Sequence, residues 1–215
     1  MASPVVEKLG QIITKQTAAS PDHARALLMA AYSWVNLAGR FPRPRNVRAA
    51  TERVNGGIAG TIVDSFRHPE NAVMVNIFMP CEILHAMELT PMFPEGISAY
   101  VANTACDEVF VETSESHDIA ETFCSYHKLM IGVAETGIMP RPLMIANTTL
   151  ACDANQLSFP RLAKFYDVPH YVIDVPTTAD EDAVVYVADQ LRELTALLEL
   201  SLIHISEPTR HAQIS

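Results

Sequence analysis

Three short, nearly unbroken apolar runs, set among amphipathic stretches, constrain this chain more than any other feature. They are Ala72-Val73-Met74-Val75-Asn76-Ile77-Phe78, Leu143-Met144-Ile145-Ala146 and His170-Tyr171-Val172-Ile173-Asp174-Val175. A strand that is apolar at almost every position has both faces covered, which is the mark of a parallel sheet. Helical patterns over 82–89, 118–135, 155–166 and 181–198 fall between and after these runs. That alternation predicts a Rossmann-like, doubly wound α/β layer. Ligands in such a layer gather at the carboxyl ends of the strands. A site is therefore expected just past Phe78, Ala146 and Val175.

The region 1–67 reads as helical and the region 68–199 as the α/β domain. Over 22–38, Ala26, Met29, Ala30, Trp34 and Leu37 recur at helical spacing, and Ser20-Pro21-Asp22 supplies a start signal. A second helix is expected over 46–66, weakened in its middle by Gly56, Gly57 and Gly60. The end of the chain departs from this pattern. Leu200-Ser201-Leu202-Ile203-His204-Ile205-Ser206-Glu207-Pro208-Thr209-Arg210 resembles the conceptual translation of a transposase-type sequencing adapter. The segment 200–215 is accordingly expected to be non-native and to pack on nothing, with the natural chain continuing from about Glu199.

With 49% hydrophobic residues in a chain of 215, there is ample material for a core. A net charge of −10 argues against a nucleic-acid surface, which needs clustered Lys and Arg. No apolar run reaches the ~18 residues of a membrane span. The opening MASPVVEKLGQIITKQ lacks the pattern of a secretory signal, so a cytoplasmic protein is expected.

A reducing compartment keeps the four cysteines, Cys81, Cys106, Cys124 and Cys152, as thiols. None lies in a CxxC pair, so a zinc ribbon or a thioredoxin-like centre has no support. Cys152 follows the second apolar run, in the loop before a helix, and Cys124 stands in the helical segment leading into that run. Thiolates converging from separate loops and helix starts suit an iron–sulfur cluster. Two unrelated core cysteines fit the spacing equally well. Glu82, after Pro80 at the start of a helix, is the candidate for proton transfer. The helix dipole is also a purely structural reason for an acid there. His85 and His127 are possible neighbours of the site.

Several local words narrow the choice. Met79-Pro80-Cys81-Glu82-Ile83-Leu84-His85-Ala86, Phe123-Cys124-Ser125-Tyr126, Ala151-Cys152-Asp153-Ala154 and the stretch Pro-His-Tyr-Val-Ile-Asp-Val-Pro ending at Pro176 occur in this order. Together they resemble the 2-hydroxyacyl-CoA dehydratase and benzoyl-CoA reductase family over about 68–198. The resemblance implies one [4Fe–4S] cluster held by three cysteines, with Cys124 and Cys152 as the first two. It places the third in a C-terminal half, a second α/β domain that this chain lacks. Glu82 would lie near the substrate, whereas Cys81 and Cys106 read as packing residues.

The chemistry so implied is reductive. An ATP-dependent iron–sulfur activator protein delivers one electron, a ketyl radical of the acyl-CoA thioester expels the 2-hydroxyl, and a β-proton then leaves. The implied partners are the acyl-CoA and a second dehydratase subunit, with no role for nucleic acid or membrane. The alternatives are a subunit of a benzoyl-CoA-type aromatic acyl-CoA reductase and a non-catalytic α/β binding or assembly module.

Overall fold

The computed structural model describes residues 4–41 and 49–206. Its centre is a four-stranded, all-parallel sheet of order β2-β1-β3-β4. The strands are β1 (Ala72–Val75), β2 (Thr90–Met92), β3 (Met144–Thr148) and β4 (His170–Ile173). Side chains alternate across each strand. Met74 and Ile145 enter the core under the helices α2 (Pro21–Arg40), α3 (Ala49–Arg67), α5 (Pro94–Ala102), α6 (Asp107–Ser116), α7 (Ser125–Glu135) and α8 (Asn155–Tyr166). Val73, Val75, Met144 and Ala146 face Leu84 of α4 (Glu82–Ala86) and Leu194 and Leu198 of α9 (Glu181–Ser206). The helix α1 (Pro4–Ala19) adds Ile13 to the first core. Both faces are covered, as the unbroken apolar runs require.

The three expected strands are present and parallel, and α8 spans the expected 155–166. Other expectations are corrected. The first strand ends at Val75 rather than Phe78. Ile77 and Phe78 form a turn, 57% and 45% exposed, and so face out at the sheet's carboxyl edge. The third ends at Ile173, and α4 stops at Ala86. The helix expected over 118–135 begins only at Ser125, because the residues before it form the loop between α6 and α7.

The sequence reading also missed β2, α5 and α6. β2 is a three-residue edge strand containing Pro91, which an edge position tolerates because its outer N–H needs no partner. The start expected for α3, at residue 46, lies outside the described residues. The backbone of 200–206 continues α9, with Leu200 56% exposed. No Gly or Pro stands between Glu181 and Ser206 to stop the helix. The rest of the expected foreign segment, 207–215, lies outside the described residues.

The apolar stripe of α2 points the other way from expectation. Trp34 and Leu37 are 71% and 55% exposed, and the buried face is Ala24, Leu28, Tyr32 and Gly39. The reason is a close helix crossing. A Cβ on Gly39 would stand 2.6 Å from the Cα of Gly56, so the α2–α3 contact requires glycine on both sides. The side chain of Arg25 then fastens α2 to the strand approach, donating to the carbonyl of Gly137 and, at 2.6 Å, to that of Ile138. Among the described residues no helix is long and apolar enough to cross a membrane.

Candidate functional site

The carboxyl ends of β1 and β3 are locked by polar side chains that water cannot reach. Asn76 Nδ2 donates to Thr148 Oγ1 at 3.0 Å, and the Thr148 backbone N–H donates to Asn76 Oδ1 at 3.0 Å. Both residues are buried, so each of these bonds replaces a desolvation penalty rather than a contact with solvent. On this edge the loops after β1 and β3 meet the first turns of α5, α7 and α8.

Cys124 is the N-cap residue of α7, at φ −53° and ψ 120°, and it is exposed. Its carbonyl accepts the N–H of Lys128 at 2.9 Å. The Lys128 side chain, although buried, turns back to donate to the carbonyl of Glu121 at 2.8 Å and to Glu115 Oε1 at 2.5 Å. A buried ammonium with these two acceptors ties the loop ahead of Cys124 to α6 and α7.

Cys152 lies beyond β3, just before α8. The preceding Ala151 has φ 68°, in the left-handed region that costs a non-glycine residue about 1 kcal/mol or more. That turn sets the half-buried Cys152 sulfur 3.5 Å from Nε2 of His127. His127 belongs to the first turn of α7, three residues past Cys124. Its other nitrogen lies 2.9 Å from Ser158 Oγ on α8, and burial pushes the imidazole below its usual pKa. A neutral ring thus spans α7 and α8 and brings Cys152 to the turn that Cys124 caps. Three residues past Cys152, Oδ1 of the buried Asn155 has no hydrogen-bond partner among the described residues.

The other candidates stand apart from this turn. Glu82 opens α4 with its side chain exposed, and among the described residues no hydrogen bond or ion pair joins it to the cysteines. His85 is exposed on the same helix. The half-buried Cys81 thiol donates to the Met79 carbonyl at 3.3 Å, and burial raises its pKa. Cys106 is 2% exposed, 2.9 Å from Thr104 Oγ1, and burial raises its pKa too. In the native protein an alkylating reagent is therefore expected to modify Cys124 first and Cys106 last, because reaction needs an accessible thiolate. Peptide mapping after timed labelling checks this. Cys106 labelled as fast as Cys124 would contradict the packing.

Glu95 was missed altogether. It stands in the first turn of α5, only 7% exposed, and burial raises its pKa to about 7 against the pull of the Ile77 backbone N–H. Its Oε2 has no hydrogen-bond partner among the described residues. The one available signal was Phe93-Pro94-Glu95, a proline-led helix start, but without β2 nothing placed it at the sheet edge.

One thiol, Cys152, lies beside the buried His127 imidazole, and the exposed Cys124 opens the helix that carries that ring. Among the described residues no group of three or more His, Cys, Asp or Glu side chains converges closely enough to hold a metal ion. Cys124 and Cys152 fit two of the ligands of a thiolate-held cluster, which tolerates wider sulfur spacing than a single ion.

The fold thus defines a parallel α/β protein with helices on both faces of its sheet. Residues 76–203 match the family model of the 2-hydroxyglutaryl-CoA dehydratase D-component, and the chain belongs to that family of dehydratase subunits. It is also 25% identical over 129 residues to the (R)-phenyllactyl-CoA dehydratase alpha subunit of Clostridium sporogenes. That match takes in 56% of this chain and 32% of the relative's length.

Proposed function

We propose that this chain forms part of an iron–sulfur 2-hydroxyacyl-CoA dehydratase subunit, a lyase that removes water from a 2-hydroxyacyl-CoA. The observation that carries the reading is the approach of Cys152 to the α7 turn capped by Cys124, two cysteines 28 positions apart in the sequence. Cys124 and Cys152 would hold a [4Fe–4S] cluster, with a third thiolate from outside the described residues. When bound, that cluster supplies one-electron chemistry at the thioester carbonyl, which makes loss of the 2-hydroxyl feasible although the β-hydrogen is not acidic.

The protein's own residues do the rest. Lys128 steadies the Cys124 loop, and His127, fixed by Ser158, would orient the Cys152 sulfur it touches. The exposed Glu82, at the start of α4, is available as the base for the β-proton. The name of the Clostridium sporogenes relative, an alpha subunit, supports a second subunit as partner, and the chemistry calls for an ATP-dependent activator.

The test is the full-length subunit, assembled anaerobically with its partner and activator, given 2-hydroxyacyl-CoA thioesters. Release of the 2-enoyl-CoA, dependent on ATP and on the activator, is the expected result. Reduction of an aromatic acyl-CoA without dehydration would assign the chain to the reductases instead. Neither activity, with no iron bound, would leave only the α/β scaffold.

A further inference from the structure

Dehydration needs two proton transfers, one off C3 and one onto the departing hydroxyl, and an exposed carboxylate such as Glu82 suits only the first. We propose that Glu95 is the acid of the site, donating the proton with which the C2 hydroxyl leaves as water; this rests on the dehydratase reading. Three observations place it there. Glu95 begins the helix that follows β2, so it sits at the carboxyl edge, where the cysteine loops gather. Its carboxyl lies against the backbone of Ile77, in the turn that leaves β1, and is coupled to Tyr126, two residues past Cys124. Its Oε2 is sealed from solvent with no partner among the described residues, which is costly for a carboxylate and tolerable for a carboxylic acid.

Burial holds the group at a pKa of about 7, where a general acid works best near neutral pH. Tyr126, whose own pKa is raised chiefly by burial, is the titratable side chain that faces it from α7. The exposed Ile77 and Phe78 form the rim past which a substrate would reach it.

The step balances. The C2–O bond breaks, the Glu95 proton goes to the leaving oxygen, and water departs. Glu82 takes the C3 proton and passes it to solvent, from which Glu95 is reprotonated. The electron supplied by the one-electron donor is returned after the C3 proton leaves, so no net oxidation or reduction occurs.

The test compares E95Q and E95D with the wild type in the assembled full-length enzyme. Gln keeps the shape and an acceptor for the Ile77 N–H but cannot deliver the proton. In E95Q, kcat should fall by ~10²–10⁴-fold with KM for the acyl-CoA unchanged, the span typical of a lost general acid. E95D should recover part of it. Wild-type kcat should decline as pH rises through about 7, where the acid form is lost, and the residual E95Q activity should lack that limb.

Infrared difference spectra of the chain itself give a second readout: a protonated carboxyl band titrating near 7 in the wild type and missing in E95Q. An E95Q enzyme within about threefold of wild-type kcat, or a carboxyl ionising in the ordinary carboxylate range, would overturn the assignment while the dehydratase reading stands. A wild-type assembly that dehydrates no 2-hydroxyacyl-CoA would overturn both.

Discussion

Replacing Cys152 by Ala in the assembled enzyme is expected to abolish iron–sulfur absorbance and dehydratase activity together. The Cys152 thiol has no structural work that would explain such a loss. It is half-buried, and its side-chain hydrogen-bonding contact among the described residues is one long sulfur contact to the His127 ring, which keeps Ser158 on its other nitrogen when alanine removes the thiol. The fold should therefore survive, with an unchanged far-ultraviolet spectrum and unfolding midpoint, while the centre does not.

Loss of an outer-shell partner alone costs a metal site ~10–100-fold, so loss of a ligand should exceed ~100-fold in activity. Cys124→Ala is expected to act in the same way, and Cys106→Ala to leave absorbance and turnover intact, because Cys106 is enclosed within the core beside Thr104. Iron retained by both Cys124→Ala and Cys152→Ala would reduce the kinship with dehydratases to one of fold.

The second large effect is one of stability. Gly132, in the middle of α7, faces the backbone of α6, and a Cβ there would overlap the Phe110 carbonyl. A flexible side chain could give way, but a helical carbonyl whose residue is fully buried cannot move without separating two helices. Gly132→Ala is expected to destabilise the chain by ~3 kcal/mol, the upper end of the usual overpacking range. The measurement is the denaturant midpoint at constant m value. Gly57→Ala is the control: nothing lies within 4 Å of a Cβ there, so the better helix former should be neutral or stabilising by up to ~1 kcal/mol. Equal midpoints for the two variants would show that α6 and α7 are not packed this closely. The same seam carries Lys128 and its loop, so loosening it should also raise the reactivity of the Cys124 thiol.

Much of the scaffold was legible because two periodicities carry it. Strands buried on both faces leave continuous apolar runs, and amphipathic helices leave a stripe, so β1, β3, β4 and α8 could be placed from residue order alone. Where local patterns were ambiguous, the reading failed. β2 is three residues long and holds a proline, too little pattern to register as a strand. Without it, α5 and α6 had no frame. In α2 the larger apolar residues form the outer stripe, and only the glycine contact with α3 selects the smaller inner face.

The site divides along the same line. Cys124 and Cys152 stand in local words that a linear reading can weigh, and strand–helix alternation already directs both to the carboxyl edge. The approach of Cys152 to α7 depends on His127, whose ring reaches Cys152 and Ser158 only because α7 and α8 pack side by side. Glu95 is an ordinary acid at a helix start until the 76–80 loop and α7 close over it and remove the water that would have kept it ionised. Periodicity and short motifs, which are local, determined the layer and singled out the two thiols. Burial is a property of the whole fold, and only the tertiary structure decided which histidine meets Cys152 and which carboxyl is buried.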